Sequence, residues 1–103
     1  MYETEFAQRL AQLRIQKGIS ARDMSLSIGQ NPGYINTIEN GKSFPTMTSF
    51  FYICEFLNVS PQEFFTTSID NPSKVRQLMG KVMKLSENQI HALETIVEGM
   101  LNN

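Results

Sequence analysis

Helix start and stop signals recur along this chain at short intervals, which restricts it to a fold built from small helices. Ile19-Ser20-Ala21-Arg22-Asp23-Met24 offers a serine N-cap, an acid three residues on, and an Ile/Met pair spaced as a hydrophobic staple. Val59-Ser60-Pro61-Gln62-Glu63-Phe64 repeats the device with proline at the first helical position, and Leu85-Ser86-Glu87-Asn88-Gln89-Ile90 repeats it again. Asn31-Pro32 and Asn71-Pro72 read as further pairs of N-cap and first-turn proline. Glycines at 18, 29 and 41 stand where helices would need a left-handed closing residue.

Between these marks the apolar spacing is helical. Phe6, Leu10 and Leu13 form one stripe, and Phe50, Ile53, Cys54 and Leu57 a second. Val75, Leu78, Met79 and Val82 form a third; Ile90, Leu93, Val97 and Leu101 form a fourth. No segment alternates as a half-buried strand does. The pattern predicts an all-α chain with helices near 3–17, 20–28, 32–40, 47–57, 61–66, 72–84 and 87–101. Thr66 to Asp70 reads as a hinge, dividing a five-helix unit (1–66) from a two-helix C-terminal hairpin (67–103).

At 103 residues the chain has room for one core, and 41% hydrophobic against 18% charged residues marks it as globular. No apolar run is long enough to cross a bilayer, and the acidic start MYETEF lacks a signal-peptide core, so the expected compartment is the cytoplasm. A lone Cys54 cannot form an intrachain disulfide. The formal net charge of −1 argues weakly against a nucleic-acid partner, although a total does not show how charges are distributed.

The most informative segment is SARDMSLSIGQNPGYINTIENGK, residues 20–42. A helix of two turns ends at Gly29, a tight Gln30-Asn31 connection follows, and a second short helix starts at Pro32. Met24, Ile28, Ile35 and Ile38 sit where two crossing helices bury them against each other, and small Ser25 permits their close approach. This is the spacing of two helices joined by a tight turn.

Residues 3–66 resemble the lambda-repressor-like (Cro/XRE-type) helix-turn-helix DNA-binding family. The resemblance is carried by Leu13-Arg14 with Gly18, by Gly29, and by Tyr34-Ile35-Asn36 running into Ile38-Glu39-Asn40-Gly41-Lys42. The apolar helix at 47–57 and Asn58-Val59-Ser60-Pro61 with Phe64-Phe65 extend it. It implies a five-helix domain whose third helix, residues 32–40 here, enters the major groove of duplex DNA. Ile35 and Ile38 then face inward, leaving Gly33, Tyr34, Asn36, Thr37 and Asn40 as candidates for reading base edges. Arg22, Asn31, Lys42 and Ser43 are candidates for phosphate contact, as is the N-terminus of the second helix. Arg14 and Glu39 match the pair that ties helix 1 to helix 3, a structural role.

Three positions depart from the family pattern. Ala21 stands where Gln is frequent, Pro32 and Gly33 bring no side-chain donors to the start of the third helix, and Gln30 replaces an apolar turn residue. Direct readout therefore rests on few side chains, with DNA shape as the other source of specificity. Tyr34 reads equally well as a phosphate contact or as a cover for the core edge. Cys54 reads as a buried thiol, His91 as a solvated surface residue, and the methionines as core or interface filler. The residues provide no catalytic set, metal site or cofactor motif, and no small-molecule ligand is evident.

The reading from sequence is thus a repressor-like DNA-binding regulator acting as a homodimer. The C-terminal hairpin serves either as the dimerisation surface or as packing on the first unit, and docking of another regulator is a third option. The competing reading is a protein-interaction module or antitoxin-like adaptor. An apolar patch over residues 33–37 would favour the module, and a basic rim around residues 22 and 42 would favour DNA.

Overall fold

Small polar side chains set the starts of the helices by accepting backbone N–H groups that have no partner within the helix. In the computed structural model, which describes residues 2–102, the elements are α1 (Tyr2–Lys17), α2 (Ala21–Ser27), α3 (Tyr34–Glu39), α4 (Met47–Leu57), α5 (Pro61–Phe65), α6 (Pro72–Val82) and α7 (Glu87–Leu101). The fold is all-α, as the spacing predicts. Ser60 and Ser86 form complete capping boxes: their hydroxyls accept from the N–H of Glu63 and Gln89, whose side chains accept from the serine N–H at 2.8 and 2.9 Å. At Ser20 the hydroxyl accepts from Asp23 N–H at 3.0 Å. Thr46 caps α4 in the same way, at the start expected for the helix at 47–57, although the cap itself was not singled out from sequence.

The ends of four helices share one geometry. After α1, α2, α3 and α4 a residue at positive φ is followed by an N–H that reaches back five residues to a carbonyl: Ile19 to Arg14, Gln30 to Ser25, Lys42 to Thr37 and Val59 to Cys54. This closing turn satisfies carbonyls that would otherwise be orphaned. The first three use glycine, whereas the fourth uses Asn58 at φ 57°, which tolerates the left-handed region through its short polar side chain.

The core of the first unit joins Leu10 and Leu13 of α1, Met24 of α2, Ile35 and Ile38 of α3, Phe50, Ile53 and Leu57 of α4, and Phe64 of α5. Phe50 and Phe64 meet edge to face with centroids 5.2 Å apart, and Phe6 lies 5.0 Å from Phe64. Arg9 is among the buried residues, 3% exposed, on the same face of α1 as Phe6 and Leu13. Its Nε donates to Phe64 O at 2.6 Å, and its Nη2 donates to Glu63 O at 2.8 Å and Thr66 O at 3.1 Å. These are the last carbonyls of α5, so one guanidinium closes the C-terminus of that helix from 55 residues away in sequence. Burial lowers the Arg9 pKa, and the negative charge of Asp70 opposes that shift.

Two helix boundaries differ from the sequence reading by two residues, and the others by at most one. The third helix begins at Tyr34, not at 32, because Asn31 accepts the Gly33 N–H at 3.0 Å and Tyr34 N–H bonds to Asn31 O, closing a turn around Pro32. The sixth helix stops at Val82, not at 84, because Lys84 and Leu85 N–H groups bond three residues back and tighten its end. By its internal contacts the chain forms two compact units that meet at Ser73/Lys74. The segment before the division is held to the first unit by buried Pro72, by the Ser73 hydroxyl donating to Asn58 O at 3.0 Å, and by Gln12 donating to Asp70 at 3.2 Å. No helix among the described residues is long and apolar enough to cross a membrane.

Cys54 is buried in the α4 face, and burial raises its pKa to about 11. The folded protein should therefore resist a thiol-alkylating reagent at about pH 8, where the thiolate is scarce and shielded. The denatured chain should label rapidly. Equal labelling rates for folded and denatured protein would show that the α4 face opens freely.

Candidate nucleic-acid interface

The geometry of residues 20–42 follows from one buried hydroxyl and one ion pair. Ser25 is fully buried where α2 crosses α3; its hydroxyl donates to Ala21 O at 2.7 Å and accepts from Ile35 N–H at 2.9 Å. The small side chain allows the close crossing expected from sequence, and its oxygen also caps the first turn of α3, a role that size alone did not reveal. Met24, Ile35 and Ile38 fill the crossing, with Ile28 and Tyr34 partly buried at its margin.

Arg14 and Glu39 meet as a two-pronged pair, Nε to Oε2 at 2.7 Å and Nη2 to Oε1 at 3.0 Å. Arg14 Nη1 also donates to Ile19 O at 2.9 Å, so the same guanidinium holds the α1–α2 turn. The hydrogen bonds that Arg14 donates to Glu39 raise its pKa, against the opposing effect of burial. With side chains only 16% and 12% exposed, the pair is largely shielded from water and salt, and the planar fork fixes its orientation. This places the end of α3 relative to α1. Gln30 Nε2 lies 3.4 Å from Ser49 Oγ, a long contact between the α2–α3 turn and α4.

Against that frame, the candidate base readers separate. Asn36 and Thr37 are exposed on α3, and Asn40 is exposed as its closing residue. The Thr37 hydroxyl donates to Gly33 O at 2.9 Å, so that hydrogen is engaged within the helix and the methyl group is its remaining recognition feature. Gly33 lies at the N-cap, not inside the helix, with its N–H taken by Asn31. Tyr34 is half-buried and packs against the core, which makes it at least a cover for the core edge. Of the phosphate candidates, Arg22 is exposed on the first turn of α2, and Asn31, Lys42 and Ser43 are exposed on either side of α3. The Asn31 side-chain oxygen is used by Gly33, leaving its amide N–H groups as donors. The left-handed turn at Gly41 and the Lys42 N–H bond to Thr37 O hold the Lys42 backbone against the end of α3.

The exposed positions at 33, 36 and 37 are glycine and polar residues, with Ile35 buried. No apolar patch covers 33–37. Among the described residues, no three of His, Cys, Asp and Glu converge as a metal cluster would require. A cleft of about 630 Å³ lies elsewhere on the first unit, walled by Phe6, Phe44, Met47, Phe50 and Phe65. Its polar lining includes Glu5 and the already engaged Arg9.

Comparisons with known proteins agree with this arrangement. A family model described as a helix-turn-helix domain matches residues 7–68. An uncharacterized HTH-type transcriptional regulator, y4dJ of Sinorhizobium fredii (strain NBRC 101917 / NGR234), is 27% identical over 66 residues, covering 64% of this chain and 86% of that protein. The crystal structure of the restriction-modification controller protein C.AhdI from Aeromonas hydrophila superposes with a TM-score of 0.58 at 27% identity, covering 61% of this chain and 91% of that one. The family is one of DNA-binding regulators and not of enzymes. The chain is a member of the helix-turn-helix transcriptional regulators, of the lambda-repressor-like (Cro/XRE) type.

Proposed function

We propose that this chain is a repressor-like cytoplasmic regulator that binds duplex DNA as a homodimer, with α3 in the major groove. The observation that carries the reading is the polar exposed face of α3, together with the exposure of Arg22 on α2 and of Lys42 and Ser43 just after α3; a protein-docking module would present apolar surface on α3. That the relatives include an HTH-type transcriptional regulator and a restriction-modification controller supports a regulatory role.

Asn36 reads a base edge, as asparagine pairs bidentately with adenine, and Thr37 offers its methyl to thymine. Tyr34, Asn40 and the Gly33 backbone approach the same groove wall. Arg22, Asn31, Lys42 and Ser43 hold phosphates. The Ile35 N–H is already taken by Ser25 and the Tyr34 N–H by Asn31, so these contacts rest on side chains more than on the helix terminus. With few cations per subunit, about three to six phosphates are neutralised per dimer. The slope of log affinity against log salt is then roughly −3 to −5.

The test is fluorescence anisotropy on the DNA flanking the gene and on a scrambled duplex, at two salt concentrations. Asn36→Ala should weaken cognate binding by about 1–3 kcal/mol and leave scrambled binding unchanged. Lys42→Ala should weaken both equally and reduce the salt slope by about two, since one phosphate contact is lost from each protomer of the dimer. If Asn36→Ala and Thr37→Ala both preserve the cognate-to-scrambled ratio, α3 does not read bases directly. Absence of binding to any duplex at low salt would transfer the function to the protein-module reading.

A further inference from the structure

From Lys74 to Asn102 no described side chain is buried. This second compact unit consists of most of α6 and all of α7, and at best Val82, Leu85 and Leu93 are half-buried. Meanwhile Leu78, Met79, Met83, Ile96, Met100 and Leu101 are all exposed, Met83 and Leu101 at 79%. Helices of this length are marginal alone in water, and a unit this small has too little interior to be stable without a partner.

The pattern of these apolar residues is regular. Val75, Leu78, Val82 and Leu85 are spaced three, four and three apart, and Ile90, Leu93, Val97 and Met100 repeat that spacing. This is the seam of helices that pack side by side, and the flanking Met79, Ile96 and Leu101 widen it beyond what one neighbour covers.

Charge identifies the occupant. Every charged residue of α6 is basic (Lys74, Arg76 and Lys81), with Lys84 just beyond its end, while α7 carries Glu87, Glu94 and Glu98. Lys74 and Lys81 are seven apart and each directly precedes a seam valine; Glu87 and Glu94 are also seven apart and flank Ile90 on the opposite side of the seam. These flanking positions are where charges select partner and orientation. Setting α6 beside another α6 brings cation to cation, and α7 beside α7 brings anion to anion. A second copy related by a two-fold axis avoids both by setting α6 beside α7 twice.

We propose that the second unit closes on a second copy of this chain as a four-helix bundle, with α6 of one protomer beside α7 of its partner. Lys74 and Lys81 then lie along the helix that carries the partner's Glu87 and Glu94. The proposal rests on the homodimeric reading above and adds the surface and the pairing rule that form the dimer.

The test is sedimentation equilibrium on the full chain without DNA, so that it is independent of operator binding, which is measured separately by anisotropy. The native protein should dimerise at micromolar concentration. The double variants Lys74→Glu/Lys81→Glu and Glu87→Lys/Glu94→Lys should each self-associate at least about tenfold more weakly, a change of about 1.4 kcal/mol. Mixed in equal amounts, they should recover near-native affinity as a heterodimer, since both crossed contacts become complementary. That recovery also shows that neither variant was simply misfolded. A native chain monomeric up to the order of 100 µM would overturn the proposal, as would either variant dimerising with native strength, or a mixture that recovers nothing.

Discussion

Arg9→Ala is expected to lower the unfolding free energy of the first unit by about 3 kcal/mol. The guanidinium donates to Phe64, Glu63 and Thr66 carbonyls, and its Nη1 donates to Gln12 at 2.8 Å. Alanine leaves the end of α5 without these donors in a region where water enters poorly, and each buried acceptor lost costs about 1–3 kcal/mol, partly offset by residual hydration. A change of this size moves the thermal midpoint down by roughly 12–24 °C for a domain of this length. Arg9→Lys should rescue little, since a single ammonium cannot span carbonyls that the fork reaches from two nitrogens. Thermal melts followed by circular dichroism provide the check. A midpoint unchanged in Arg9→Ala would mean that α5 closes on itself without α1.

Glu39→Ala should cost about 2 kcal/mol and also weaken DNA binding. It leaves the Arg14 guanidinium largely buried, with the Ile19 carbonyl as its remaining described partner. Because Glu39 is the last residue of α3, its loss frees that end of the helix to shift against α1. A double-mutant cycle with Arg14→Ala isolates the pair, with an expected coupling of about 1–3 kcal/mol. Glu39→Gln should keep much of the geometry and lose the charge, falling between native and Ala. Additive costs in the cycle would show that the two side chains contribute to stability independently.

Much of the architecture was legible because its determinants are local. Ser20, Ser60 and Ser86 sit three residues ahead of a backbone N–H that a short hydroxyl can reach, whatever the rest of the chain does. Glycines 18, 29 and 41 mark left-handed turns for the same reason. The stripes of α1 and α4 predicted their buried faces. Pro32 misled, because a proline suits the first turn of a helix and the turn before it equally well. The choice was made by the Asn31 side chain bonding Gly33 N–H.

The site was legible as a surface but not as a mechanism of support. That Asn36, Thr37 and Asn40 point outward follows from Ile35 and Ile38 pointing inward, a matter of helical period. That the Thr37 hydroxyl is spent on Gly33 O depends on a rotamer, which no spacing reports. Arg9 had a sequence signal, since a residue three after Phe6 and four before Leu13 lies on the apolar face. Composition counts it only as one of nine cations.

Helix identity, caps and apolar faces are short-range properties, and the sequence of residues alone determined them. Tertiary structure decided which distant groups satisfy one another: Arg9 with the end of α5, Ser25 with the start of α3, Arg14 with Glu39, and the α6 start with α4. Such pairings join segments from 10 to 57 residues apart, and a buried polar atom finds its partner only after packing has excluded water from it.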